Sequence, residues 1–203
     1  MKRLCEGSLE DALNLSEINI LNQIIQVTQK ICEKETGKIP KFLLIGMRAL
    51  YFYFGREAFN PALYSVEIDL NFDVLMDWTP FRHKIPNLIK NQLELLGYQV
   101  KPGIGLISIF KEGVLIDLTV IFEYKEELVG KFIPELKIHA ADKYFLIYSK
   151  LSRADPLKDL SRLKYLFKNC QNKLDFDKIC SFASDYELEL VKARMNALLK
   201  ADI

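Results

Sequence analysis

The segment that decides the fold is YSVEIDLNFDV, at residues 64–74, because its polar and apolar residues alternate without interruption. A period of two predicts a β-strand whose two faces differ in polarity. Glu67 and Asp69 are therefore expected to project from the same face, where their charges repel each other. A divalent cation bound between the two carboxylates would relieve that repulsion. An edge strand with one solvated face would show the same alternation, so this segment alone leaves both interpretations open.

A second candidate strand, VLIDLTVIF at residues 114–122, carries one acidic residue, Asp117, in an otherwise apolar run. A run that is apolar on both faces is typical of a central strand. An unpaired carboxylate there would be strongly destabilising, or it would become protonated. A metal ion shared with Glu67 and Asp69 would remove the cost. A buried Arg or Lys partner, or backbone hydrogen bonds, would remove it equally well.

The residues before the acidic strand predict a turn suited to phosphate. Residues 41–45 (KFLLI) are expected to form a buried strand that turns at Gly46 into a helix over residues 47–53. The first backbone N–H groups of such a helix can bind phosphate, and glycine permits close approach. Arg48 is near enough in sequence to add a charge-assisted contact. Many helices follow a glycine, so the turn is informative only together with the carboxylates.

Outside these motifs, the first two thirds of the chain predict a mixture of helices and strands. Helical spacing of apolar residues predicts a long or broken helix over residues 9–35. Residues 80–96 predict another helix, in which Pro86 is expected to mark a break or a restart. Residues 106–110 and 114–122 predict a β-hairpin.

The last third of the sequence predicts helices only, whereas residues 123–139 show no clear pattern. The expected helices cover residues 140–152, 156–168, 175–184 and 186–200. The fold class is therefore α/β (α+β), with a mixed sheet flanked by helices in residues 1–138. A C-terminal helical bundle is expected in residues 139–203.

The composition is that of an ordinary globular chain. Its 203 residues carry a formal net charge of +1, which does not by itself indicate a nucleic-acid-binding protein. The four cysteines lack CxxC spacing and are expected to be reduced thiols. His83 and His139 lack the spacing of a zinc pair. The sequence shows neither a secretory signal nor a membrane-spanning apolar run, and a cytoplasmic location is expected.

Together, these motifs resemble the minimal nucleotidyltransferases of the DNA polymerase beta superfamily, and in particular the abortive-infection toxin-like branch. Residues 44–50 (LIGMRAL) look like its strand–glycine–helix turn, and residues 65–70 (SVEIDL) look like its Ser-x-Asp-Ile-Asp-Leu element. Residues 116–118 (IDL) look like the strand with a third carboxylate. Residues 150–153 (KLSR) and 156–160 (PLKDL) are similar to the helical end of that branch. The order of these short motifs is the specific part of the resemblance.

The resemblance implies a nucleotidyltransferase-like fold that transfers a nucleotide from an NTP to a hydroxyl or phosphate acceptor, on RNA or protein. It also implies Mg²⁺ or Mn²⁺ and, as a partner, a cognate antitoxin-like protein. The implied metal ligands are Glu67, Asp69 and Asp117. Asp117, as base on the acceptor, and Lys150 would be catalytic. The implied nucleotide-binding residues are Gly46, Met47, Arg48, Ser65, Lys150, Arg153, Lys158 and Asp159.

Four residues differ from the family pattern. Met47 replaces a small residue of the turn, and Glu67 replaces the usual aspartate. Leu63 stands where the family often has an arginine, and Arg162 stands where a second helix aspartate is common. These differences motivate a second hypothesis, in which the protein is a catalytically degraded relative that acts as a nucleotide-binding or protein-interaction module.

Overall fold

The strands predicted around the acidic motifs are present, and they belong to one seven-stranded mixed sheet. The computed structural model describes residues 5–73, 78–103, 105–121 and 125–200. The strands are β1 (Phe42–Ile45), β2 (Glu67–Asp73), β3 (Gln99–Pro102), β4 (Leu106–Lys111), β5 (Val114–Ile121), β6 (Val129–Ile133) and β7 (Ile138–Ala141). Their order across the sheet is β3-β4-β5-β2-β1-β7-β6.

The helices flank this sheet, so the predicted mixed α/β class is confirmed. They are α1 (Leu9–Ala12), α2 (Leu15–Thr36), α3 (Gly46–Phe54), α4 (Trp78–Leu95), α5 (Lys143–Leu151), α6 (Leu157–Cys170), α7 (Phe176–Cys180) and α8 (Asp185–Lys200). In the described ranges, no helix is both long enough and apolar enough to cross a lipid bilayer.

Strand β2 is the middle strand of the sheet, which rules out the alternative of a solvated edge strand. It runs antiparallel to β1 and parallel to β5. Ile68, Leu70 and Phe72 are fully buried on one face, while Glu67 and Asp69 project from the other. The alternation in the sequence therefore separates a packed face from a polar face, as expected for a sheet covered unequally on its two sides. Residue 74, the end of the predicted strand, lies outside the described residues.

The predicted hairpin is also confirmed, and it places Asp117 inside the sheet. Strands β4 and β5 pair antiparallel around a turn in which Glu112 and Gly113 both have positive φ. Such a turn matches the twist of the two strands it joins. Strand β5 pairs with β4 on one side and with β2 on the other, as the apolar run around Asp117 predicted. Residue 122 lies outside the described residues.

Two helix predictions need correction. Helix α4 continues through Pro86, where a break was expected. Ile85, Ile89 and Leu93 are completely buried along it, and this packing stabilises the helix despite the backbone hydrogen bond that proline removes. The helix predicted from residue 140 begins at Lys143 instead, because Ile138–Ala141 forms β7.

Strand β7 joins the C-terminal part of the chain to the sheet. It pairs in parallel with β1, and it spans the domain boundary predicted after residue 138. One hydrophobic core also includes residues from both sides of that boundary, among them Leu70 of β2 and Ile147 of α5. The division into residues 1–138 and 139–203 remains a prediction, and side chains on its two sides pack together.

Cys5 and Cys170 form a disulfide bond, so the expectation of reduced thiols is wrong for this pair. The two residues are 165 positions apart, and sequence spacing alone could not show that their Cα atoms lie 5.7 Å from each other. The bond joins the segment before α1 to the end of α6. Cys32 and Cys180 are free.

Replacing both Cys5 and Cys170 by serine should lower the free energy of unfolding by about 2–4 kcal/mol, because the bond restricts the unfolded chain. Urea denaturation of the oxidised proteins measures the change. Cys180→Ser, which removes a free thiol, serves as the control and should have little effect. A wild-type midpoint that is unchanged by a dithiol reductant would contradict the prediction.

Candidate functional site

A pocket of about 760 Å³ lies between the polar face of the sheet and helices α5 and α6. The sheet and the turn after β1 contribute Ile45, Gly46, Met47, Ser65, Glu67, Asp69, Asn71 and Thr119. The helical side includes Ser149, Lys150, Arg153, Lys158, Asp159 and Arg162. Every site residue predicted from the sequence lines this pocket, except Arg48 and Asp117.

Asp69 and Asp117 lie side by side on neighbouring parallel strands, although only Asp69 lines the pocket. The two residues are in register across β2 and β5, so both side chains project from the polar face of the sheet. The Ser108 hydroxyl donates a hydrogen bond to Asp117 Oδ1 at 2.7 Å. The apolar setting of Asp117 suggested a metal ion, a cationic partner or backbone hydrogen bonds. The structure shows a further way to stabilise the carboxylate, which is a hydrogen bond from a neighbouring side-chain hydroxyl.

The charge of Asp69 is held in an unfavourable environment. Burial raises the pKa of the Asp69 carboxyl above its ordinary value, and the negative charges of Asp117 and Glu67 raise it further. The positive charges of Lys150 and, to a smaller extent, Arg153 act in the opposite direction on this pKa. A carboxylate that is desolvated and repelled by two others marks a place where a bound cation would be strongly stabilised.

Gly46 is required by the position of Asp69. Its φ of +70° is left-handed, and a Cβ added there would lie 2.0 Å from Asp69 Oδ2. The carboxylate therefore packs directly against the backbone where β1 ends and α3 begins. Met47, the second residue of α3, is buried and also lines the pocket. The turn therefore brings the N-terminus of α3 next to the carboxylates of β2.

Lys150 and Asp159 form a buried ion pair that joins α5 to α6. Lys150 is only 3% exposed, and its Nζ donates to Asp159 Oδ1 at 3.0 Å. The more exposed Arg153 donates from Nη1 to Asp159 Oδ2 at 2.9 Å. Burial lowers the pKa of Lys150, while Asp159 opposes that shift. The pair thus holds a lysine at the pocket wall, close enough to influence the charge of Asp69.

Arg48 faces away from the pocket. Its guanidinium donates to Glu17 Oε1 at 2.8 Å and to the Ala12 carbonyl at 2.7 Å. Glu17 also belongs to the N-terminal capping box of α2. Arg48 therefore ties the junction between α1 and α2 to α3, and its charge is neutralised there.

Arg162 is a pocket residue that the sequence did not nominate. Its Nε donates to the Leu63 carbonyl at 3.1 Å, which joins α6 to the segment that precedes β2. Leu63 and Arg162 are two of the four positions that differ from the family pattern, and the structure brings them into contact. The four-residue spacing from Lys158 is the one signal by which sequence could have found Arg162, because it predicts a shared helix face.

The acidic group suits a cation that also binds the substrate. Within the described ranges, no three His, Cys, Asp or Glu side chains are grouped so that they alone could hold a metal ion. Mg²⁺ commonly takes one or two carboxylates and completes its coordination with phosphate and water oxygens. Glu67 and Asp69 supply carboxylates of this kind at the pocket wall, with Asp117 next to Asp69.

No protein-family model matches the sequence, and no curated protein matches it significantly. The solution structure of the antibiotic-resistance factor ANT(2'')-Ia has a TM-score of 0.45 and 11% identity, over 88% of this chain and 92% of that one. The crystal structure of ANT(2'')-Ia with adenylyl-2''-tobramycin has a TM-score of 0.44 and 10% identity, over 88% and 98%. The Megavirus polyadenylate synthase has a TM-score of 0.40 and 16% identity, over 79% and 34%. Likenesses this weak say nothing about chemistry, which has to be inferred from the site.

Asp69→Asn should stabilise the protein in the absence of ligand at neutral pH, because it removes a desolvated and repelled charge. The folded-state pKa of Asp69 is raised, so its ionisation costs stability once the pH exceeds the ordinary carboxyl value of 3.8. The gain in melting temperature should therefore be present at pH 7 and should shrink as the pH falls towards that value. Thermal melts over this pH range test the prediction.

The control for the Asp69 melts is Glu33→Gln, which neutralises an exposed carboxylate on α2, outside the pocket. The prediction is contradicted if the gain in melting temperature for Asp69→Asn is no larger than that of the control, or if it is independent of pH. The charge of Asp69 would then not destabilise the folded protein.

Gly46→Ala should destabilise the protein by more than the roughly 1–2 kcal/mol expected for a left-handed non-glycine residue, since the new methyl group also displaces Asp69. Gly97→Ala provides a matched control. Gly97 has a φ of +80°, and an added Cβ meets nothing within 4 Å. Urea denaturation gives the loss of unfolding free energy in each variant, and the difference between the two losses measures the effect of the contact with Asp69. Equal losses of stability in the two variants would show that this contact is unimportant.

Proposed function

We propose that this protein is a metal-dependent nucleotidyltransferase, which moves a nucleotide from an NTP to a hydroxyl or phosphate acceptor. The observation that carries the proposal is the facing of opposite charges across one pocket. Glu67 and Asp69 line one wall beside the glycine turn, and four lysine and arginine side chains line the other, together with Asp155 and Asp159. An NTP bound with a divalent cation presents both signs of charge and is complementary to such a pocket.

In the proposed reaction, the acceptor oxygen forms a bond to the α-phosphorus, and the bond from that phosphorus to the bridging oxygen breaks. The electron pair leaves with pyrophosphate. Asp117 is proposed to take the proton of the acceptor, from its place beside Asp69. A bound Mg²⁺ or Mn²⁺ would neutralise phosphate charge.

The residues of the chain act mainly by position and charge, as is usual for transfers of phosphoryl groups. Glu67 and Asp69 would hold the cation. The backbone at Gly46 and Met47, at the N-terminus of α3, would contact phosphate oxygens. Lys150, whose position is held by Asp159, would offset the remaining negative charge at the pocket wall.

A nucleotide-binding module without catalysis is the second candidate. Two observations favour it: the described residues contain no metal cluster complete in itself, and Asp117 does not line the pocket. The abortive-infection branch, an RNA or protein acceptor, an antitoxin-like partner and a cytoplasmic location remain predictions from the sequence motifs.

Thermal denaturation with each NTP, with and without Mg²⁺, tests the proposal. A ligand present at 100 times its Kd stabilises a protein by about 2.7 kcal/mol, which corresponds to roughly 5–10 °C for a chain of this size. Wild type should show this increase only with Mg²⁺ and NTP together. Asp69→Asn should lose the Mg²⁺-dependent part, whereas Glu33→Gln should retain it.

The outcomes separate the two candidates. Stabilisation by NTP that is independent of both Mg²⁺ and Asp69 would support the non-catalytic module instead. If no NTP stabilises the wild-type protein, both candidates are wrong. Release of pyrophosphate from labelled NTP, with total RNA as acceptor, then tests turnover.

A further inference from the structure

The cationic side chains at the pocket fall into two classes. Lys150 and Arg153 share Asp159 as their partner, so much of their charge is neutralised within the protein. Lys158 and Arg162 also line the pocket, but neither forms an ion pair with any carboxylate in the described part of the chain. Lys158 and Arg162 are therefore the pocket cations whose side chains are not held by an ion pair in the described part of the chain.

Lys158 and Arg162 lie on the same face of α6. They are four residues apart, which places their side chains one helical turn from each other. The hydrogen bond to Leu63 uses Nε of Arg162 and restrains the guanidinium. The two Nη groups carry four further N–H donors, and within the described residues no protein acceptor is assigned to them.

The carboxylates on the sheet side of the pocket indicate which kind of ligand the N–H donors of Lys158 and Arg162 would bind. Glu67 and Asp69 lie across the pocket and attract a cation, so the complementary ligand is anionic towards α6 and bound to a cation towards β2. A restrained guanidinium fork together with a nearby ammonium suits a group of several phosphates, because a guanidinium can bind phosphate oxygens in a bidentate manner. A nucleoside monophosphate lacks the additional phosphate groups that these donors would bind.

We propose that Arg162, with Lys158, binds the two phosphates of an NTP that leave as pyrophosphate, and so selects triphosphates over monophosphates. This inference rests on the proposed function. Breaking the bond to the α-phosphorus moves negative charge onto the departing pyrophosphate. Cations placed at that group would therefore stabilise the transition state as well as the bound substrate.

Calorimetric titration of the full chain with ATP, AMP and inorganic tripolyphosphate, in the presence of Mg²⁺, tests the proposal. Arg162→Gln should weaken binding of ATP and of tripolyphosphate by about tenfold or more, the range expected for a lost charged hydrogen bond. The affinity for AMP should stay the same. ATP and GTP should lose equal factors, because the lost contact is with phosphate.

Three further variants control the experiment. Lys158→Gln should give a smaller loss of the same kind, and because Lys158 is exposed this substitution does not endanger folding. Arg162→Lys should restore part of the affinity, since it restores the charge without the fork. Lys168→Gln removes an exposed charge from the same helix outside the pocket, and it should leave the affinities for ATP, AMP and tripolyphosphate unchanged.

The failures of the two proposals are distinguishable. Equal weakening of ATP and AMP binding by Arg162→Gln would indicate a structural role and would overturn this inference. Unchanged ATP affinity in both Arg162→Gln and Lys158→Gln would overturn it as well. In either case, ATP binding that still requires Mg²⁺ and Asp69 would leave the proposed function standing. Absence of NTP binding by wild type would overturn both.

Discussion

The contact between the Asp69 carboxylate and the backbone of Gly46 constrains the rest of the site. The pairing of β1 with β2 places Ile45 opposite Asp69, so the residue after Ile45 meets the carboxylate as the chain leaves the sheet. Only a residue without a side chain fits there, and its left-handed conformation directs the chain into α3. The position of Asp69 and the position of the N-terminus of α3 therefore depend on each other.

The distribution of ion pairs then determines where charge is available for a ligand. Glu17 neutralises Arg48 beside α3, and Asp159 neutralises Lys150 between α5 and α6. Both pairs are buried, and each holds secondary-structure elements together around the pocket. In contrast, burial destabilises the charge of the Asp69 carboxylate, and the nearby charges of Asp117 and Glu67 repel it further. A folded protein that keeps such strain is typical of a binding or catalytic site.

The parts of the fold that could be predicted are those with a strong local signal. Strand β2 was predicted because Ile68 and Leu70 alternate with Glu67 and Asp69, and β5 because Asp117 interrupts a long apolar run. The strands that were missed are short, and β3 and β6 lie at the two edges of the sheet. Strand β7 has only four residues, and a segment of that length can be part of a helix or of a strand. Its neighbour β1 decides between the two, and the local sequence contains no information about that pairing.

The sequence by itself determined the mixed α/β class, the acidic face of β2, the glycine turn and the helical end of the chain, because each depends on side-chain periodicity or backbone geometry over a few residues. Only the tertiary structure decided which charged side chains meet. Arg48 is two residues from Gly46 yet pairs with Glu17, whereas Arg162 is 116 positions from Gly46 and lines the same pocket. The joining of Cys5 to Cys170 was decided in the same way. Contacts of this kind depend on the packing of distant elements against one core, and spacing along the chain does not encode them.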